Sequence, residues 1–175
     1  MAQKLTLALA TLLLLALGAW GFAASRRAAR FAEVPQNLRL MYEGATVFAQ
    51  RYLTRPVAER VRPDFPISSR ITPESPCCHE GRVVPCAPGG KTATAYSPAV
   101  WMQTPFVELG FELKDPHRYR YSFTSFGPGE VLRFEVSAHG DADCDGVLSR
   151  FYRKGQVVGR DVTGPLEIFS ENPEE

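Results

Sequence analysis

The chain has 175 residues, 45% of them hydrophobic and 22% charged, with 20 Lys and Arg against 19 Asp and Glu. That length supports one ordinary domain with its own core, and the apolar content excludes a wholly disordered chain. A net charge of +1 argues against a protein built to coat nucleic acid, so no nucleic-acid partner is expected.

From Leu5 to Ala24 no residue is charged, with Lys4 before the run and Arg26, Arg27 and Arg30 after it. Twenty such residues in a helix rise about 30 Å, the thickness of a bilayer's hydrocarbon core. Two readings compete for residues 1–24, a retained anchor and a cleaved secretory signal ending near Gly21-Phe22-Ala23; the length favours the anchor. The arginines after the run pull its C-terminal side toward the cytoplasm, whereas the cysteines further on argue for an extracytoplasmic side.

Over residues 25–53, Phe31, Val34, Leu38, Met41, Ala45, Phe48 and Tyr52 recur at three- and four-residue spacing. This is the apolar stripe of an amphipathic helix. It reads as the continuation of the membrane segment, one long rod ending near Leu53. Pro35 removes a backbone donor, so a kink or a restart is expected there. Residues 54–98 then lose all periodicity. They hold eight prolines, the Gly89-Gly90 pair and three of the four cysteines, which predicts a long loop pinned by covalent bonds.

The cysteines are Cys77, Cys78, Cys86 and Cys144. An even count behind an export-type segment predicts two disulfides and an oxidising compartment. A vicinal Cys77–Cys78 bridge would be strained, so each is expected to pair elsewhere, one closing the short loop to Cys86 and the other reaching Cys144. The rival is zinc held by Cys77, Cys78, His79 and Cys86; the paired C-x-x-C spacing of a zinc knuckle is lacking, and disulfides are preferred.

Residues 99–175 predict a short helix and a sheet. Ser97-Pro98 reads as an N-cap with proline at the first helical position, and the helix stops at Gly110. His117, Tyr119, Tyr121 and Phe123 alternate with polar residues, as do Leu132, Phe134, Val136 and Ala138 with Arg133, Glu135, Ser137 and His139. With strands near Val147–Lys154 and Leu166–Phe169, these make an antiparallel meander of about four strands. The fold class is therefore α+β: a long N-terminal helix, membrane-spanning in its first half, packed on a C-terminal meander.

Asp141, Asp143 and Asp145, followed by Gly146, match the first half of a calcium loop. Position twelve, where a bidentate glutamate belongs, is Tyr152. The plain alternative, an Asp-Gly turn whose carboxylates cap local amides, is favoured, and calcium is the one cofactor candidate. His79, His117 and His139 fall in three different elements, and His139 reads as a solvent-facing strand residue. The sequence has no G-x-S-x-G, P-loop, G-x-G-x-x-G or H-E-x-x-H motif. No residue is assigned a catalytic role.

The ordered set of features resembles a type IV pilin or type II secretion pseudopilin. The stretch Asn37-Leu38-Arg39-Leu40-Met41-Tyr42-Glu43-Gly44-Ala45 is similar to the pilin segment where the helix enters the head. Trp101 to Phe111, Pro116 to Tyr121, and Gly140 to Gly146 resemble a pilin-like head in which an Asp-rich turn joins two strands. The chain departs from that family in having no glycine before the apolar run and no glutamate within it. The resemblance implies a pilin-like, non-enzymatic structural protein, single-pass in the inner membrane with a periplasmic head. Its expected partners are the membrane and other pilin-like or secretion-assembly subunits. The alternative is a secreted or anchored binding module, calcium-dependent if the Asp-rich turn holds an ion.

The charge balance fits that division. Residues 1–62 carry nine bases and three acids, whereas residues 63–175 carry 11 bases and 16 acids.

Overall fold

The apolar stripe after residue 30 becomes helix α1, Glu33–Leu53, which buries Val34, Leu38, Met41, Ala45 and Ala49 along one side. Full burial of side chains such as Leu38 and Met41 contributes about 1.5–3 kcal/mol each. Pro35 lies in the first turn of α1, where its missing N–H has no helical partner to lose. The structure is a computed structural model that describes residues 31–54, 65–126, 132–159 and 161–173. From Glu33 on, the described residues form one compact unit.

The remaining elements follow in chain order. Short strands β1 (Cys78–His79) and β2 (Arg82–Val83) pair antiparallel, and β3 (Ala87–Pro88) and β4 (Ala95–Tyr96) pair parallel. A 3-10 turn, Pro98–Met102, and helix α2, Phe106–Leu109, come next. The sheet consists of β5 (Arg120–Phe126), β6 (Arg133–Gly140), β7 (Ser149–Val158), β8 (Asp161–Thr163) and β9 (Phe169–Glu171). All its pairings are antiparallel, in the order β5-β6-β7-β8, with β9 beside β7 as well.

Four expectations are corrected. The predicted long N-terminal helix is corrected: among the described residues the helix is the 21-residue α1, and no helix there is long and apolar enough to cross a membrane. Outside its core stripe α1 carries Arg39, Glu43, Gln50 and Arg51, which solvate its outer side. The expectation of a single-pass inner-membrane protein with a periplasmic domain is therefore not supported. The apolar run Leu5–Ala24, on which it rested, lies outside the described residues.

The sheet also has five strands rather than about four, and it is not a simple meander. The ten-residue β7 is long enough to pair β8 with its second half and β9 with its first. The single predicted helix before Gly110 is two pieces, split at Gln103–Pro105. Its ends are as expected: Ser97 Oγ accepts from the Ala99 amide, and Gly110 takes the left-handed conformation at the C-terminus.

The core lies between α1 and one face of the sheet. Tyr121, Phe123, Phe134, Val136 and Ala138 line that face, all 0% exposed. Tyr42 on α1 tilts against Phe134 with centroids 5.1 Å apart, under the Arg153 guanidinium. The helix start is tied down by Glu33, whose carboxylate accepts from the Arg118 and Tyr119 amides and from the Tyr121 hydroxyl. Burial still pushes the Glu33 carboxyl above its usual range. A second cluster gathers Trp101, Phe106 and Phe111 beside His117.

The Pro-rich segment is pinned by Cys77–Cys86 and Cys78–Cys144 disulfides, with no free cysteine. It also covers the outer edge of β5: the Ser69 and Thr72 amides donate to the Phe123 and Tyr121 carbonyls, and Tyr121 donates back to Thr72. That edge would otherwise present a row of unpaired amides.

Candidate functional site

The Asp-rich turn connects β6 to β7. Asp141 Oδ2 accepts from the Gly146 amide at 3.1 Å, Asp143 Oδ1 from the Asp145 amide at 3.3 Å, and Asp145 Oδ1 from the Val147 amide at 2.7 Å. Cys144 and Gly146 have φ of 65° and 93°, so the chain turns tightly enough to aim the acids inward. Oxygens of the three carboxylates lie within 4.8 Å of one another. Asp143 and Asp145 are exposed and Asp141 is half-buried; Asp141 Oδ1 is shielded from solvent without a hydrogen-bond partner.

A shielded oxygen without a partner, on a residue whose carboxylate gathers with two others, suits a hard cation. Calcium takes six to eight oxygens, so these three residues would hold part of its shell. The sequence-level expectation of amide capping is met at the same time, because each carboxylate has one capped amide. Tyr152, at position twelve, lies on β7 and pairs with Phe169 rather than returning to the turn. The Arg120 guanidinium stands near enough to Asp141 to interact with its charge, while its Nη1 donates to the Glu74 carbonyl. Cys78 and Cys144 also stand beside Asp141, but sulfurs committed to a disulfide are not thiolate ligands. The same holds for Cys77 and Cys86, and the zinc alternative lapses.

The sheet face away from the core is where the sequence reading was incomplete. Alternation marks Glu135, Ser137 and His139 as solvent-facing, yet they are 5%, 2% and 8% exposed, and Ser122 is likewise buried. Long side chains cover them. Arg150 reaches over the Tyr152 ring to bridge Glu171, at 2.9 Å, and Glu135, while Lys154 stands 3.8 Å from Glu135 and Ser137 Oγ donates to it at 3.0 Å.

His139 Nε2 is 2.9 Å from Ser122 Oγ, a serine–histidine pair that sequence spacing did not reveal. Burial first, then the charges of Arg150 and Arg120, push this imidazole down to about 4. A base so weakened is poorly matched to work near neutral pH, and among the described residues no carboxylate is hydrogen-bonded to its other nitrogen. His117 is satisfied on both sides. Its Nδ1 donates to the Tyr119 carbonyl at 2.6 Å, and its Nε2 accepts from the Tyr96 hydroxyl at 2.7 Å, which itself accepts from Trp101 Nε1. Burial lowers its pKa too. His79 is exposed beside Glu80. The three histidines therefore form no common site.

No protein-family model matches the chain, and neither a curated protein nor a solved structure matches it.

Proposed function

We propose that the chain is a non-catalytic structural module of an extracytoplasmic assembly, acting through other subunits in the manner of pilus and type II secretion components. The observation that carries this reading is the pair of disulfides, which suit an oxidising compartment. The non-catalytic part is supported by where the buried titratable groups go. Glu33, His117, Glu135 and His139 all have hydrogen bonds within the fold. The reading needs no membrane-spanning helix in the chain itself. Mild cross-linking in the native host followed by purification tests it: pilus or secretion subunits should co-purify, and a chain recovered alone under efficient cross-linking refutes the reading.

A second reading, a calcium-dependent binding module, is favoured by the orphaned Asp141 Oδ1. Asp141, Asp143 and Asp145 would hold the ion, which when bound supplies positive charge that draws the turn together. The chain's own part is to keep the turn closed through the Asp141–Gly146 hydrogen bond and the Cys78–Cys144 bridge. Calorimetric titration with calcium decides it. Saturable heat that disappears in Asp141→Asn supports the reading, and no heat at millimolar calcium ends it.

A further inference from the structure

At the end of the sheet remote from the Asp-rich turn, four neighbouring strands place one residue each in a single row: Phe126 on β5, Arg133 on β6, Gln156 on β7 and Thr163 on β8. Direct register partners point to the same face and stand about 4.8 Å apart from strand to strand. The row therefore presents, in order, an aromatic ring, a guanidinium fork, an amide and a hydroxyl. These side chains line a cleft of about 550 Å³ that Lys154 and Pro165 help to close. That volume lies within the range of small-ligand sites.

The row differs from the rest of its face. Further along the strands the charges neutralise one another, Arg150 with Glu135 and Glu171, and Lys154 with Glu135. Among the described residues, the side chains of Arg133, Gln156 and Thr163 have no hydrogen bond or ion pair. Phe126 leaves 46% of its surface exposed. The cleft thus offers one uncompensated cation, two neutral groups that both donate and accept, and an open ring face, on a part of the chain whose acids outnumber its bases.

We propose that this cleft binds an acidic sugar, a hexuronate residue of an anionic glycan. A guanidinium takes a carboxylate through two parallel hydrogen bonds. An amide and a hydroxyl pair with hydroxyl groups in either direction, and an exposed aromatic ring stacks on the apolar face of a pyranose. One cation without an acid beside it, with Lys154 already offset by Glu135, matches a ligand with one carboxylate and several hydroxyls. A run of glutamates carries a charge at every residue and would leave most of them without a cation. The assignment goes beyond the assembly role and is independent of the Asp-rich turn, which lies about 23 Å away along β6 by strand rise.

Titration of the full chain with a hyaluronan tetrasaccharide, followed by NMR shifts or calorimetry, tests the proposal, with an N-acetylglucosamine tetramer and tetraglutamate as comparison probes. Saturable binding of the uronate-containing probe is expected. It should weaken by roughly tenfold in Arg133→Gln, the loss of a charge-assisted bidentate contact, and by a smaller factor in Phe126→Ala. Lys91→Gln, an exposed cation in the β3–β4 loop, should leave it unchanged. Gln156→Ala provides a second cleft variant should Arg133→Gln lose its near-ultraviolet circular dichroism. No saturation at millimolar probe overturns the proposal, as does equal affinity for tetraglutamate or for the neutral tetramer. Full affinity retained in both cleft variants overturns the placement. Failure to recover assembly partners would leave this result untouched, because cross-linking and glycan titration are read separately.

Discussion

Replacing His139 by glutamine should change how the protein responds to acid. In the folded state the imidazole is held down to about 4 by burial and by Arg150 and Arg120, with Glu171 opposing and Ser122 as its hydrogen-bond partner. Unfolded, it returns to its ordinary value near 6.5. Between those values the unfolded chain takes up a proton that the folded chain does not, so stability is fully present above about 6.5 and is lost as the pH falls toward 4. At about pH 5 the loss from this residue is about 2 kcal/mol, since each pH unit inside the window contributes about 1.4 kcal/mol.

His117 is displaced in the same direction. Glu33, held above the usual carboxylate range, acts with opposite sign just above its ordinary value. Only the difference between wild type and variant isolates His139. Urea unfolding at about pH 7.5 and about pH 5 measures it: with a slope of about 2 kcal/mol/M, the wild-type midpoint should fall by about 1 M more than that of His139→Gln. A uniform destabilisation of the variant does not enter this comparison. Equal pH dependence in the two proteins would refute the reasoning.

Removing the Cys78–Cys144 bridge, which closes a 66-residue separation, should cost about 4 kcal/mol on the chain-entropy estimate, against about 2.6 for Cys77–Cys86 with its separation of 9. Denaturant midpoints of the two double serine variants check the order, and a larger loss from the short loop would contradict it. Gly44→Ala should destabilise by about 2 kcal/mol despite the higher helix propensity of alanine, because a methyl group there overlaps the Leu109 carbonyl; a gain in melting temperature would show that α1 does not lie so close. Tyr121→Phe should lower stability by about 1–3 kcal/mol, since the hydroxyl joins Asn37 to Glu33 in a fully buried position. A neutral change in the unfolding midpoint would deny that link.

The elements most legible in the sequence are those whose information is local. The α1 stripe, the caps at Ser97 and Gly110, and the alternation of Tyr121 with Phe123 and of Phe134 with Val136 each declare a buried side within a few residues. The Asp-rich turn is local in the same way, and its carboxylates do converge. What was not legible depends on distant pairing. β8 is three residues long, too short for a period, and exists because β7 offers ten residues of edge, whereas the strand expected near Leu166–Phe169 is found displaced to Phe169–Glu171 as β9. Glu135 and His139 alternate as exposed residues do; their burial comes from Arg150, Tyr152 and Lys154, brought over them by the β6–β7 register. The row from Phe126 to Thr163 depends on the same cross-strand register, which is set by several turns together.

The Cys78–Cys144 bridge has a consequence for a molecule under load. Strands β5 and β6 both lie within the covalent ring that it closes. A pull transmitted along the backbone passes through the sulfurs and bypasses those strands. The 66-residue stretch, roughly 220 Å if drawn out, is withheld from extension while the bridge is intact. A subunit tugged through its neighbours would give slack only from the chain ahead of Cys78, α1 included, and from the chain after Cys144, β7 included. Half of the central sheet would keep its shape at forces that strip the rest, and a reducing environment would abolish that protection without altering a single residue.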